Sequence, residues 1–137
     1  MRIAINTRFL SSPNLEGLGR FAYETSKWMT EQHPEHEYFF IFDREFDPRY
    51  IGSDRITPIV IRPPARHPFL WYLWYEWALP RALRKHKIDL FISTDGLGSL
   101  RSITPSCMVI HDLAFEHFPE QVSYFTRQYY RYFIPKY

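Results

Sequence analysis

Cysteine is nearly missing from this chain of 137 residues: Cys107 is the only one. No internal disulfide can form, which fits a reducing compartment, and no Cys/His spacing suits zinc. Long hydrophobic runs are also lacking. The longest, Phe69 to Leu79, is interrupted by Glu76 and falls short of the roughly 20 residues needed to span a bilayer. The amino terminus, Met1-Arg2-Ile3-Ala4-Ile5-Asn6, turns polar before a secretory core can develop. A cytoplasmic protein is expected. Neither sign of charge is in excess, since 17 basic and 15 acidic residues leave +2. That balance argues against a nucleic-acid partner. No Asp-x-Asp occurs, so there is no compact carboxylate pair for a catalytic divalent metal. Neither metal nor cofactor is expected, and any bound phosphate would be neutralised by amides and basic side chains. The G-x-S-x-G elbow of hydrolases is absent as well.

What is present describes one globular domain with a core, at 45% hydrophobic and 19% aromatic residues. Short apolar runs alternate with helical patterns. Ile3-Ala4-Ile5, Tyr38 to Phe42, Ile56 to Ile61, Asp89 to Ile92 and Met108 to Ile110 read as strands, with Pro58 marking a sheet edge. Ser11, Ser12, Pro13 and Asn14 are turn formers after the first strand. A helix follows, with Leu18, Phe21, Ala22, Thr25, Trp28 and Met29 as its apolar stripe. A second runs from about Phe69 to Lys87, kinked or divided by Pro80. A third opens on Pro119 and presents Phe118, Val122, Phe125, Tyr129, Tyr132 and Phe133. Strands alternating with helices imply an α/β fold, a Rossmann-like three-layer parallel sheet. The last helix is followed by no strand, so one sheet element is expected to be missing and the domain to be incomplete at its C-terminal end.

Two places carry candidate chemistry. Cys107-Met108-Val109-Ile110 reads as a buried parallel strand that stops at His111-Asp112, and α/β proteins bind ligands where such strands end. Because neighbouring strand residues point to opposite faces, His111 and Asp112 need not act as a pair. Upstream, Gly17-Leu18-Gly19-Arg20-Phe21-Ala22 satisfies G-x-G-x-x-A, with Asp43 near the place of a ribose-binding acid. Yet about ten residues separate the first strand from Gly17, whereas the dinucleotide fingerprint needs its first glycine directly after the strand. Glycines opening a helix can still let backbone N–H groups approach an anion. Arg20 is a candidate cation beside them. The segment from His67 to Leu79 is apolar on nearly every helical face, which favours core packing over contact with a partner or bilayer surface. Arg81, Arg84, Lys85 and Lys87 follow it as a solvated face, with an anionic membrane surface as the alternative.

In this order, the features resemble the N-terminal domain of the retaining glycosyltransferases of group 1, also called family 4, which have the GT-B fold. The matching pieces are Met1 to Asn6, Gly17-Leu18-Gly19-Arg20-Phe21, Leu79-Pro80, Asp89 to Ser93, and Val109-Ile110-His111-Asp112-Leu113 continuing to Phe118-Pro119. The resemblance implies that residues 1–137 are the acceptor-side half of a two-domain enzyme. The other half, with an E-x7-E motif, would hold most of a nucleotide-sugar donor. It further implies sugar transfer with retention to a glycan or lipid-linked acceptor, by an enzyme whose isolated half is inactive. Catalytic residues would be His111, toward a donor-sugar hydroxyl, and Asp112. Gly17, Gly19 and Arg20 would meet the donor phosphates, and Arg8, Asp95 and Gly96 the acceptor side. The location would be cytoplasmic, with peripheral contact at the inner face of the membrane as an option. Two other readings stand beside it: a nicotinamide-dependent oxidoreductase domain, and a non-catalytic α/β interaction module.

Overall fold

The computed structural model describes residues 1–11 and 14–137. Ser12 and Pro13, read above as turn formers, lie outside the described residues. Five strands form one parallel sheet: β1 (Arg2–Asn6), β2 (Glu37–Phe42), β3 (Ile56–Val60), β4 (Leu90–Ser93) and β5 (Ser106–Met108). Their order is β3-β2-β1-β4-β5, every neighbouring pair parallel. This is the α/β, three-layer Rossmann-like arrangement expected from the alternation of elements. The chain leaves β1 toward β2 on one side and returns to β4 on the other, so the connections diverge between β1 and β4. In open parallel sheets that divergence opens a crevice at the carboxyl ends of the strands.

Alternation along the central strands builds two cores. Ile3 and Ile5 of β1, Tyr38, Phe40 and Phe42 of β2, and Ile92 of β4 pack with Leu10 and Ala22 on one face. Ala4, Phe39, Ile41 and Phe91 share the opposite face with Trp74, Tyr75, Leu79, Leu83 and Tyr129. Period-two alternation with both sets apolar is the signature of strands covered on both sides.

Helix α1 (Gly17–Gln32) covers the first face through only part of the stripe expected, Ala22 and Met29. Its buried residues are Gly19, Ala22 and Ser26, while Trp28 is 59% exposed and Leu18 is exposed too. Small residues let the helix axis approach the sheet closely, which turns the larger side chains outward. The opposite face is covered by α2 (Pro68–Leu73), a π-helical turn (Trp74–Ala78) and α3 (Leu79–Lys85). Pro80, the second residue of α3, has no N–H for the carbonyl four residues earlier, and the wider turn just before it accommodates the loss. The aromatic segment is therefore mainly core: Trp74, Tyr75 and Leu79 are fully buried, with the indole N–H of Trp74 on the Ile61 carbonyl at 3.0 Å.

Three expectations fail beyond β4. The strand containing Cys107 is a three-residue edge strand, with Ser106 and Cys107 exposed, because nothing pairs with its outer side among the described residues. Pro119 begins a short 3-10 turn (Pro119–Gln121), not the helix. That turn separates α4 (Ala114–His117) from α5 (Tyr124–Phe133), and the Ser123 hydroxyl caps α5 by accepting from the Thr126 N–H at 3.2 Å. The packed face of α5 matches the one expected only at Tyr129 and Phe133. Tyr129 is buried and Tyr130 and Phe133 pack beside it, whereas Phe118, Phe125 and Tyr132 are exposed. Tyr130 stacks on Trp71 at 5.6 Å and Phe133 stacks on Tyr129 at 4.4 Å, so aromatic pairing selects that face.

Candidate functional site

The crevice between β1 and β4 is closed by a buried polar network. Arg8 leaves the end of β1 and is 9% exposed; its Nε donates to Asp95 Oδ2 at 2.6 Å and its Nη1 to the Ala65 carbonyl at 3.0 Å. Asp95 also accepts from the Tyr75 hydroxyl at 2.8 Å, the Ser93 hydroxyl at 2.9 Å and the Leu97 N–H at 3.2 Å. Asn6 Nδ2 donates to the Tyr75 oxygen at 3.0 Å. Burial by itself would favour a neutral Arg8, but the electrostatic field around it and the Asp95 hydrogen bond outweigh that, and its pKa is raised. Burial holds the Tyr75 phenol well above its ordinary range, so at neutral pH it is uncharged and a donor. The counter-charge of Arg8 is thus Asp95. These two residues, expected to contact an acceptor, are engaged with one another, with Tyr75 and Ser93, and with the backbone.

Asp43, at the end of β2, is fully buried. Oδ1 accepts from Arg44 Nε at 2.7 Å, and Oδ2 accepts from Arg44 Nη2 at 2.7 Å and from the Ala65 N–H at 2.8 Å. Burial pushes its pKa up, yet the Arg44 and Ala65 hydrogen bonds prevail and the pKa is lowered overall. With both oxygens engaged, Asp43 is a poor candidate for binding a ribose.

On the β5 side, His111 follows the sheet edge. Its Nε2 lies 2.8 Å from the Thr94 carbonyl. A carbonyl only accepts, so Nε2 carries the hydrogen and the neutral ring offers Nδ1 as an acceptor. The ring meets Phe21 of α1 edge-on, centroids 4.9 Å apart, which brings the imidazole beside the glycine-opened helix. Asp112 Oδ1 accepts from the Ala114 N–H at 2.8 Å, forming the turn into α4. Gly96 lies at φ +75°, and a Cβ there would come within 3.3 Å of the Val109 carbonyl, so this turn requires glycine.

Helix α1 begins without a side-chain cap on Glu16 and without an acidic residue in its first turn. The first N–H groups of any helix lack intrahelical acceptors, and here they are those of Gly17, Leu18 and Gly19. A Cβ on Gly19 would sit 3.1 Å from Leu15 Cδ2 and 3.4 Å from the Phe9 carbonyl, so glycine permits that close packing; at Gly17 the space is open. Two cavities flank this turn and share Leu18. The larger, about 480 Å³, is lined by Arg8, Arg44, Glu16 and Gly17 to Gly19. The smaller, about 130 Å³, is lined by His111, Asp112, Asp95 and Gly96 with an apolar wall that includes Phe115 and Tyr130.

The fold therefore brings His111, Gly96 and the glycine turn together. Arg20 is exposed and lines neither cavity; the cations of the larger one are Arg8 and Arg44. Sequence reasoning missed Tyr75 and Arg44. Tyr75 left no signal, since its partners Asn6 and Asp95 are far away in the chain, while Arg44 was marked by its place directly after a strand-ending aspartate. No group of three His, Cys, Asp or Glu side chains suited to a metal occurs among the described residues. Among the same residues no helix is long and apolar enough to cross a membrane. Compared with family models, curated proteins and solved structures, the chain finds no match in any of the three.

Proposed function

We propose that this chain is the acceptor-side half of a retaining glycosyltransferase that uses a nucleotide-sugar donor and works with a second, donor-binding domain. The observation that carries the reading is the meeting of His111 with the glycine-opened end of α1, through Phe21 and the shared Leu18. One group of that mouth offers an acceptor to a sugar hydroxyl, and the other offers N–H donors to an anion. That is the pair of requirements set by a sugar attached to a diphosphate. In the transfer, the acceptor oxygen bonds to the anomeric carbon as the bond from that carbon to the diphosphate oxygen breaks. The acceptor proton leaves with the departing diphosphate. Negative charge grows on the leaving oxygen, so donors aimed there stabilise the transition state more than the ground state. His111 Nδ1 positions the sugar, with its ring held by the Thr94 carbonyl. Asp112, Arg8 and Asp95 hold the loops that frame the mouth.

The nicotinamide reading is less well supported, because Asp43 is buried and engaged and ten residues, 7–16, still separate β1 from α1. Saturation-transfer NMR, which detects weak binding, tests the proposal. Nucleotide sugars titrated into the chain should show saturation on sugar protons, and His111→Ala should remove it while shifting Tm by no more than about 4 °C, the equivalent of one lost hydrogen bond. Sugar signals indifferent to His111→Ala, or preferential saturation of NAD, would reject it.

A further inference from the structure

A third cavity, about 310 Å³, lies toward the far end of α1 from the glycine turn and shares no lining residue with the two described above. Parallel strands are joined by long crossovers, usually helical, that cover the sheet. The link from β2 to β3 holds only a three-residue 3-10 turn (Pro48–Tyr50), so a gap remains beside α1. Its floor is Phe40 and Ile56, both buried residues of the sheet. Tyr23 of α1 and Tyr50 of the link form an aromatic wall, their rings edge to face at 5.3 Å. The charged lining residues are two cations, Lys27 and Arg55, and one acid, Glu31. Neither cation is held in an ion pair among the described residues. Arg55 Nη1 donates to the Pro34 carbonyl at 3.2 Å, which fixes the guanidinium at the rim and leaves Nε and Nη2 outside that contact.

We propose that this cavity binds a small amphipathic monoanion, an aromatic ring system bearing one carboxylate. The phenylalanine floor and tyrosine wall take the ring, and the rim takes the charge. Two cations against one acid leave a surplus of one positive charge, which one carboxylate balances. The planar edge of Arg55 matches carboxylate oxygens, while Lys27 adds a point charge on a flexible stem. Anchoring Arg55 on Pro34 before the ligand arrives lowers the entropy lost on binding. A volume of about 310 Å³ stands at the lower end of the small-molecule range, which suits a ligand of about one or two rings. The site is independent of the sugar-transfer reading, because none of its residues lies at the His111 mouth.

Sodium 2-naphthoate, titrated into isotope-labelled protein and followed by amide NMR, tests the proposal against two analogues of the same ring. These are the neutral 2-naphthalenemethanol and the cationic 2-naphthalenemethylamine. Naphthoate should give saturable shifts confined to the cavity, at Lys27, Gly52, Ser53 and Ile56. It should bind about tenfold more tightly than the alcohol, the worth of one charge-assisted hydrogen bond. The double variant Lys27→Gln/Arg55→Gln should erase that preference and leave the affinity for the alcohol unchanged, since both side chains are exposed. A Cβ at Gly52 would meet nothing within 4 Å, so Gly52→Phe should keep the fold and block both ligands. Should Gly52→Phe fail to fold, the map of shifted amides still locates the site. Shifts that never saturate, saturable shifts elsewhere, or naphthoate binding unchanged in a folded Gly52→Phe variant would overturn the site. Equal affinity for acid and alcohol, or tighter binding of the amine, would overturn the charge assignment.

Discussion

At the carboxyl ends of β1 and β4, Asn6, Thr7, Arg8, Ser93 and Thr94 are polar and buried, and their hydrogen bonds run to Tyr75, Asp95 and the backbone. At the margin around β5 the composition is reversed. Ile103, Ile110, Leu113 and Phe118 are apolar and exposed, and the strand itself is three residues long. The difference teaches where chemistry can reside. A buried polar group with its partners supplied shapes a crevice and has little left to offer a ligand. Groups at the rim, such as His111 and Arg44, keep a free ring nitrogen or a guanidinium edge. On the proposed reading, the strand ends that looked richest in functional residues are scaffold, and the groups left to meet a ligand sit one step outside them.

Breaking the buried side of this comparison should have the largest effect. Asp95→Ala leaves Arg8 buried without its counter-charge and removes the acceptor of the Tyr75 hydroxyl and the Leu97 N–H, while Ser93 keeps the Leu97 carbonyl at 2.6 Å. A loss of about 3–5 kcal/mol is expected in urea unfolding, and a loss below about 1 kcal/mol would show that water replaces the network. A smaller effect belongs to Asp43. Its folded pKa lies below the ordinary 3.8, so the stability it contributes is complete above about pH 5 and fades as pH falls through the unfolded and then the folded value. Asp43→Asn should flatten the acid limb of a stability–pH profile, and an unchanged limb would remove Asp43 from the acid response. The smallest effect tests the exposed side. Cys107→Ser should change stability by less than about 0.5 kcal/mol, and the native thiol should react with an aromatic disulfide reagent as fast as a free cysteine. A protected thiol would mean that the β5 edge is covered in solution.

Much of the fold was legible because it depends on local patterns. Four strand positions followed from short apolar runs, while β5 lies at Ser106–Met108 rather than Met108 to Ile110, and Pro80 announced the interruption that became the π-helical turn. The helix faces were legible only in part. For α1, periodicity marked Ala22 and Met29, which pack on the sheet, but also Leu18 and Trp28, which are exposed, and it missed Gly19 and Ser26, because closeness of approach decided the packing. For α5, stacking of Tyr130 on Trp71 chose one of two aromatic stripes. Within the candidate site, His111 and the glycine turn were found from strand-end and helix-start signals. Arg20, the cation read beside the glycines, is exposed and lines neither cavity, since a helical residue's direction depends on what the helix packs against.

Read without coordinates, the chain determines an alternating α/β order and the residues that stand at strand ends and helix starts, because those depend on spacing and turn chemistry between near neighbours. Tertiary structure alone decided that Arg8 and Asp95 neutralise each other, that Tyr75 joins them, and that Arg44 rather than Arg20 lines the cavity. Those outcomes join residues that are remote in the chain or depend on the packing of whole elements, and sequence spacing carries no record of either.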